Sequence, residues 1–174
     1  MFYEKHVYLS MHTEGNYTIN PPKFKEDHMI KLKEIDRDNF DPVIDLSVFD
    51  EQKGYVASNC YSLAQAKAQP ECIPLAIYND DELVGFVMYC IDYDENEYWI
   101  YRLMIDRKHQ NKGYGKLAIL RVIEILQQDK GHSKVYLSFK AENERAKGLY
   151  ESLGFTPDGR VIAGEIVYCF NYTV

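Results

Sequence analysis

The sequence predicts an α/β fold with a mixed, mostly antiparallel sheet flanked by helices on both faces. Strand-like runs rich in β-branched and aromatic residues alternate with helical segments, and short polar connectors join three consecutive runs. One long, mostly apolar helix lies in the second half of the chain. The 174 residues, 46% of them hydrophobic, suffice for one domain with a substantial core.

The first half of this domain contains four predicted strands and two helical segments. A strand at Ile30–Ile35 is followed by a helix opened by Asp38 or Asn39, with apolar residues at helical spacing as far as Val48, and by a second helix at Ser62–Ala68. Three strands are predicted next, at Leu75–Tyr78, Leu83–Ile91 and Tyr98–Ile105. Because their connectors are short, we expect them to be antiparallel neighbours.

The second half begins with a helix at Tyr114–Gln128. Its polar residues form one narrow stripe of Arg121, Glu124 and Gln128, so we expect this helix to be mostly buried. The remaining predicted elements are a strand at Val135–Phe139, a helix at Asn143–Leu153 and two closing strands within Phe155–Val174.

Residues 1–28 differ in composition from the rest of the chain and precede a second methionine, Met29. We expect the main domain to span residues 29–174. The first 28 residues form an N-terminal extension of unknown role, either a short hairpin or a flexible segment.

Charge and composition exclude several functional classes. The formal charge of −7 disfavours a nucleic-acid surface and suits a cationic substrate. The longest apolar stretch, Leu83–Ile91, is too short to span a bilayer, and no secretion signal precedes it. The four cysteines have no metal-like spacing with the histidines, so we expect reduced thiols, no metal site and a cytoplasmic protein.

The segment 106–116, DRKHQNKGYGK, indicates an anion-binding loop between a strand and a long helix. Amides at a helix N-terminus carry partial positive charge, and Gly113 and Gly115 leave room for a phosphate group to approach. Lys112 and Lys116 add positive charge.

Two common phosphate-binding loops fit this segment poorly. A P-loop requires Ser or Thr after its lysine, whereas Leu117 follows Lys116. A dinucleotide fingerprint is formally present at Gly113, Gly115 and Ala118. Its first glycine lies far from the preceding strand, and the next strand ends without the ribose-binding acid.

Two further patterns favour a third class of phosphate binder. Gln110, Gly113 and Gly115 form Q-x-x-G-x-G, and residues 143–155 read N-x-x-A-x-x-L-Y-x-x-x-G-F. In both motifs the chain resembles the GNAT superfamily of acetyl-CoA-dependent N-acetyltransferases. The resemblance covers residues 29–174 and implies a GNAT-type sheet with acetyl-CoA as cosubstrate.

Within that superfamily the chain is most similar to bacterial spermidine/spermine and diamine acetyltransferases. The segments that carry this similarity are 52–57, 62–66, 83–89 and 102–106. It implies transfer of acetyl to a small primary amine, in a homodimer with neither nucleic-acid nor membrane partners. A peptide N-terminus or an antibiotic as acceptor, and a non-catalytic acyl-CoA-binding module, remain open alternatives.

The resemblance also assigns the cofactor-binding residues. A bulge in the strand at Trp99–Ile105 should free backbone groups for the pantetheine arm and the oxyanion. These expected cofactor contacts are Leu103, Met104, Ile105, Gln110, Asn111, Lys112, Gly113, Tyr114, Gly115, Lys116 and Asn143. For Asn143, a plain helix N-cap is an equally good interpretation.

The chemistry requires an acid for the leaving thiolate and a base for the protonated amine. Tyr150 matches the tyrosine of the family motif and is the expected general acid. Tyr101 stands where related polyamine enzymes carry an acid, so Glu97, which shares its strand parity, is the candidate base.

An acidic cluster precedes and follows the turn between two strands: Asp92, Asp94, Glu95 and Glu97. This cluster would bind a second ammonium group of a polyamine. The expected substrate-binding residues are Asp92, Asp94 and Tyr101. A solvated hairpin loop explains the same acidic residues equally well.

Overall fold

The structure is a computed structural model that describes residues 30–172. The expected hairpin or flexible segment at residues 1–28 and the expected domain start at Met29 lie outside the described residues. The division of the chain at that point stays a prediction.

Seven strands and four helices make up the described part of the chain. In order they are β1 (Ile30–Glu34), α1 (Phe40–Asp45), α2 (Asn59–Ala68), β2 (Cys72–Asn79), β3 (Glu82–Asp92), β4 (Glu97–Ile105), α3 (Tyr114–Leu126), β5 (Lys134–Lys140), α4 (Glu144–Glu151), β6 (Thr156–Ile162) and β7 (Glu165–Asn171). A 3₁₀ turn at Asp50–Gln52 separates α1 from α2. The elements expected from the sequence are therefore confirmed, with ends shifted by a few residues.

The two N-terminal helices differ most from expectation. α2 begins three residues before Ser62 because the side chain of Ser58 accepts a hydrogen bond from the Tyr61 amide at 3.2 Å and caps the helix there. α1 ends at Asp45, since Leu46 adopts an extended conformation with ψ of 138°. Val48, which the sequence pattern placed on this helix, therefore lies in the loop that follows it.

The strands form one sheet in the order β1-β2-β3-β4-β5-β7-β6. The neighbours β1 to β4 are antiparallel, as their short connectors predict, and so are β5, β7 and β6. Only β4 and β5 pair in parallel within the described sheet, and α3 lies in the connection between them, as parallel pairing requires.

Helices cover both faces of the sheet, which confirms the predicted fold class. α3 and α4 pack on one face over the larger core, which includes Ile119, Val122 and Tyr150. α1 and α2 cover the other face over a smaller core around Val43 and Phe86. The predicted polar stripe of α3 is confirmed: Arg121, Glu124 and Gln128 are exposed.

Two further features concern membrane-spanning helices and the cysteines. Within residues 30–172, no helix combines the length and apolar character that a bilayer crossing requires. All four cysteines are free thiols, and Cys72 and Cys90 are buried opposite each other on β2 and β3.

Gly85 is the glycine whose replacement should cost the fold most. It pairs with Ile105 at the end of β4, and a Cβ added there would lie 2.5 Å from the Met104 carbonyl oxygen. We expect Gly85→Ala to lower the free energy of unfolding by about 2 kcal/mol, as overpacking does. Urea denaturation measures this.

Gly148→Ala is the matched control, because this α4 glycine has nothing within 4 Å of an added Cβ and alanine favours a helix. An unfolding midpoint for Gly85→Ala equal to that of the wild type would contradict the close packing at β3 and β4.

Candidate active site

The site is built on the separation of β4 from β5. The two strands pair only at Tyr98 with Val135 and at Trp99 with Tyr136. On its other edge, β4 remains paired with β3 as far as Ile105. The backbone of β4 beyond Trp99 therefore does not pair with β5. The Tyr101 and Ile105 carbonyls accept hydrogen bonds from the Arg102 and Gln110 side chains, and polar groups on the side of β5 without such a partner are available to a ligand.

A β-bulge accompanies this separation. Met88 pairs with Arg102 and Tyr89 pairs with Ile100, which leaves Tyr101 as the extra residue on β4. A bulge bends its strand and increases the local twist. The bulge that the family resemblance predicts in this strand is thus confirmed.

The separated strands open into a cleft of about 1120 Å³. Its walls come from β4, the loop before α3, the start of α4 and the segment between α1 and α2. Leu103, Met104 and Ile105 line it, while their side chains pack into the two cores. A ligand in the cleft would therefore meet mainly the backbone of these residues.

The N-terminus of α3 faces the cleft through Gly113 and Gly115. Gly113 is the N-cap residue in a left-handed conformation, with φ of 84°, and a Cβ there would point into open space. The Leu117 amide donates to the Gly113 carbonyl, so the earlier amides of Gly115 and Lys116 have no acceptor within the helix. This arrangement suits an anion.

The Gln110 side chain holds the loop in place and also lines the cleft, and its expected cofactor contact stays a prediction. Its amide nitrogen donates to the Ile105 carbonyl at 3.0 Å and to Gln52 Oε1 at 2.8 Å. Gln52 returns a hydrogen bond to Gln110 Oε1 at 3.2 Å. The first residue of the Q-x-x-G-x-G motif therefore ties the anion loop to β4 and to the 3₁₀ turn.

Asp106 is a second anchor, and the sequence analysis did not single it out. Its buried carboxylate accepts hydrogen bonds from the amides of Ser47 at 2.9 Å and Lys108 at 3.0 Å. The Arg107 amide also donates to the Ser47 carbonyl. An aspartate directly after a strand and before a polar loop is the signal that could have revealed it.

The remaining loop residues divide between the cleft and other contacts. Lys116 lines the cleft, but its ammonium donates to the Ser152 carbonyl at 3.1 Å. Lys112 is outside the lining and lies over the Tyr114 ring. Asn111 lines the cleft and accepts a hydrogen bond from Arg145 on α4, a cleft cation that sequence reasoning missed.

Tyr150, the expected general acid, lines the cleft from α4. It is 8% exposed and packs against Phe139 and Phe155, with ring centroids 5.5 and 5.8 Å away. Burial, and then the charge of Glu165, raises the pKa of its phenol above the ordinary value. The phenol is therefore protonated at neutral pH, as an acid must be.

Asn143 was expected to be either a helix N-cap or a cofactor contact. Its side-chain oxygen accepts from the Ala146 amide at 3.1 Å, so it caps α4. It also lines the cleft. The cap is observed, and the cofactor contact stays a prediction.

The acidic cluster is divided by the turn between β3 and β4. Asp92 and Glu95 line the cleft, whereas Asp94 and Glu97 are not among its lining residues. Asp92 Oδ1 accepts from the amides of Asp94 and Glu95 and so closes the turn. Glu95 is paired at 2.6 Å with Arg160, which also forms an ion pair with Asp158.

Glu97, the candidate base, faces Tyr136 on β5. Burial, together with the charge of Glu97, raises the pKa of that tyrosine. Tyr101 lines the cleft, and burial beside the Cys90 thiol raises its pKa well above the ordinary value. The substrate contact expected of Tyr101 and Asp94, and the role expected of Glu97, stay predictions.

Two cleft residues of β5 and β7 were also missed. Ser138 donates a hydrogen bond to Glu165 at 2.6 Å, and both line the cleft. The Ala163–Gly164 turn, both residues with positive φ, places Glu165 at the start of β7. An alternating strand after a glycine turn could have indicated which of its residues share a face.

The cleft residues fit acetyl-CoA. The α3 N-terminus with Gly113 offers a pyrophosphate site, and the unpaired edge of β4 offers amide and carbonyl groups to an extended pantetheine chain. Tyr150 lines the same cleft, and its expected role as general acid stays a prediction. Among residues 30–172, no group of three His, Cys, Asp or Glu side chains could hold a metal ion.

Comparison with known proteins agrees with this geometry. Residues 30–155 match the model of the acetyltransferase (GNAT) family. A spermine/spermidine N(1)-acetyltransferase of Bacillus subtilis is 33% identical over 138 residues, which are 76% of this chain and 91% of that protein.

Solved structures show the same fold at lower identity. Spermidine N-acetyltransferase from Vibrio cholerae, in complex with CoA and spermine, aligns with a TM-score of 0.64 at 20% identity, over 80% of this chain and 92% of that one. An aminoglycoside acetyltransferase in complex with coenzyme A aligns with a TM-score of 0.69 at 15% identity, over 82% and 95%. The chain therefore belongs to the acetyltransferase (GNAT) family and is an acetyltransferase with acetyl-CoA as its cosubstrate.

Proposed function

We propose that this enzyme acetylates a primary amine of a polyamine or diamine, such as spermidine or spermine. The amine attacks the thioester directly, without a covalent enzyme intermediate. The observation that carries the choice of acceptor is the similarity to the Bacillus spermine/spermidine enzyme over nearly its whole length.

The cofactor side of the cleft supports this reaction. The anion loop at Gly113 would hold the pyrophosphate, and the free edge of β4 would orient the pantetheine chain. A backbone amide of β4 would stabilise the oxyanion of the attacked carbonyl. Tyr150 would protonate the departing thiolate.

The acceptor side of the cleft supports a cationic substrate. Glu51, from the 3₁₀ turn, and Asp92 line it without an ion-pair partner among the described residues. The neighbouring Lys53 is engaged with Asp50 at 2.6 Å. We assign the positive charges of the acceptor to Glu51 and Asp92, which lie toward opposite ends of β4 and so would hold different ammonium groups. Asp94 and Glu97 lie outside the lining.

Two other functions compete with this proposal. The fold shared with the aminoglycoside enzyme favours no acceptor over another, so a different amine, such as an antibiotic or a peptide N-terminus, is the main rival. A non-catalytic module would bind CoA without releasing thiol in the presence of any amine.

The expected cytoplasmic location and homodimer are also proposals. The free thiols support a reducing compartment. Light scattering at several protein concentrations tests the homodimer.

Replacement of Gly113 tests the cofactor site. Gly113→Val would place a branched side chain in the open space before α3, where phosphate oxygens must approach the amides. We expect CoA affinity to fall by at least about tenfold, or 1.4 kcal/mol, in isothermal titration calorimetry.

Gly159→Val is the control for backbone strain. Gly159 also has a positive φ, 91°, and open space around it, but it lies on β6 outside the cleft lining. Unaltered CoA affinity in folded Gly113→Val would contradict the loop assignment.

Removal of the Tyr150 hydroxyl tests the general acid. Tyr150→Phe keeps the ring packing and should lower kcat by about a hundredfold while the dissociation constant for CoA changes little. Steady-state kinetics and calorimetry measure the two quantities. Equal losses in both would indicate that Tyr150 only packs against the cofactor.

An amine panel tests the acceptor. Spermidine, spermine and diamines should have a higher kcat/KM than monoamines of equal length. Glu51→Gln with Asp92→Asn should raise KM for spermidine by about fivefold per carboxylate at most and leave a monoamine nearly unaffected.

Asp94→Asn with Glu97→Gln removes the same number of charges close to Asp92 but outside the cleft lining, and serves as the comparison. A flat panel, or equal KM changes for both kinds of amine, would reject the polyamine while leaving acetyl transfer intact.

A further inference from the structure

The hydrogen bond between Ser138 on β5 and Glu165 on β7 lies at the point where β4 and β5 separate. Tyr136 is the last β5 residue paired with β4, and Ser138 is the next residue along β5 on the same face. Glu165 starts β7 on this face, and its carboxylate accepts from Ser138 Oγ at 2.6 Å. Both side chains are half-buried in the cleft.

Glu165 differs from Glu95 in its neighbours. Glu95 forms an ion pair with Arg160, which also pairs with Asp158. Glu165 has no ion pair with any Lys, Arg or His of the described chain, although its cross-strand partner Lys140 is exposed nearby. A half-buried carboxylate without a cation is free to accept a proton or an ammonium group.

Glu165 also lies near the expected general acid. Its charge acts on the Tyr150 phenol, which approaches the cleft from α4 on the opposite face of the sheet. Lys140 is the cross-strand partner of Glu165 on β5, and Glu142, in the loop that follows β5, also lines the cleft. The acid and a free carboxylate thus flank the opening between β4 and β5.

We propose that Glu165, positioned by Ser138, is the base that removes the proton from the attacking amine. This inference rests on the proposed amine acetylation, but it does not depend on which amine is the acceptor. Glu165 takes this role instead of Glu97, which faces Tyr136 outside the cleft lining.

The protons balance in this scheme. Glu165 takes one proton from the ammonium group, and the freed nitrogen lone pair forms the C–N bond to the acetyl carbonyl. The C–S bond then breaks, and its electron pair leaves on sulfur, which takes the Tyr150 proton. The second nitrogen proton restores Tyr150 through water, and Glu165 releases its proton to solvent. One proton is released for each acetyl group transferred.

Glu165→Gln is a clean test, because a glutamine oxygen can still accept the Ser138 hydrogen bond but cannot take a proton. The amine that the panel identifies is compared with a fluorinated analogue of similar shape that is already neutral at the assay pH. We expect kcat/KM for the protonated amine to fall by about a hundredfold or more, and the loss for the neutral amine to stay within about tenfold.

Two more variants separate positioning from folding. Glu165→Asp retains a base on a shorter side chain and should recover part of the activity. Ser138→Ala should give a smaller loss with the same dependence on amine protonation. Thermal unfolding and the dissociation constant for CoA should match the wild type in all three variants.

The inference fails if Glu165→Gln is as active as the wild type, or if it loses equally with protonated and neutral amines. A selective loss in Glu97→Gln instead would also overturn it. Wild-type enzyme that acetylates no amine would refute the proposed function itself, so the two failures are distinguishable.

Discussion

The unpaired edge of β4 is the feature on which the site depends. β4 is paired with β3 from Glu97 to Ile105, with Tyr101 as an extra residue, yet it leaves β5 after Trp99. The extra residue at Tyr101 supplies the bend that separates the two strands. Backbone groups that would be hydrogen-bonded to the next strand in a continuous sheet are thereby left for a ligand. The side chains of this part of β4 pack into the two hydrophobic cores.

The anion loop is useful only if it is held at the end of this strand, and polar side chains do this. Gln110 joins the loop to Ile105 and to Gln52, and Asp106 joins it to Ser47. These contacts connect the loop before α3 to the segment between α1 and α2, and both line the cleft. Two walls of the cleft are thus fixed relative to each other by a few hydrogen bonds.

Local patterns predicted much of this arrangement, and distant contacts did not follow from sequence. The stripe on α3, the glycines at 113 and 115, and Tyr150 are all encoded within short segments, so spacing and motif reveal them. The contact of Ser138 with Glu165 spans 27 residues, and that of Glu95 with Arg160 spans 65. Both depend on sheet register, which sets the face on which each side chain lies.

A crystal structure of the protein with CoA bound tests the central claim most directly. We predict the pyrophosphate at the N-terminus of α3, the pantetheine chain along the free edge of β4 beyond Trp99, and the sulfur near the Tyr150 hydroxyl. CoA bound elsewhere, or β4 paired with β5 beyond Trp99 in the complex, would contradict it.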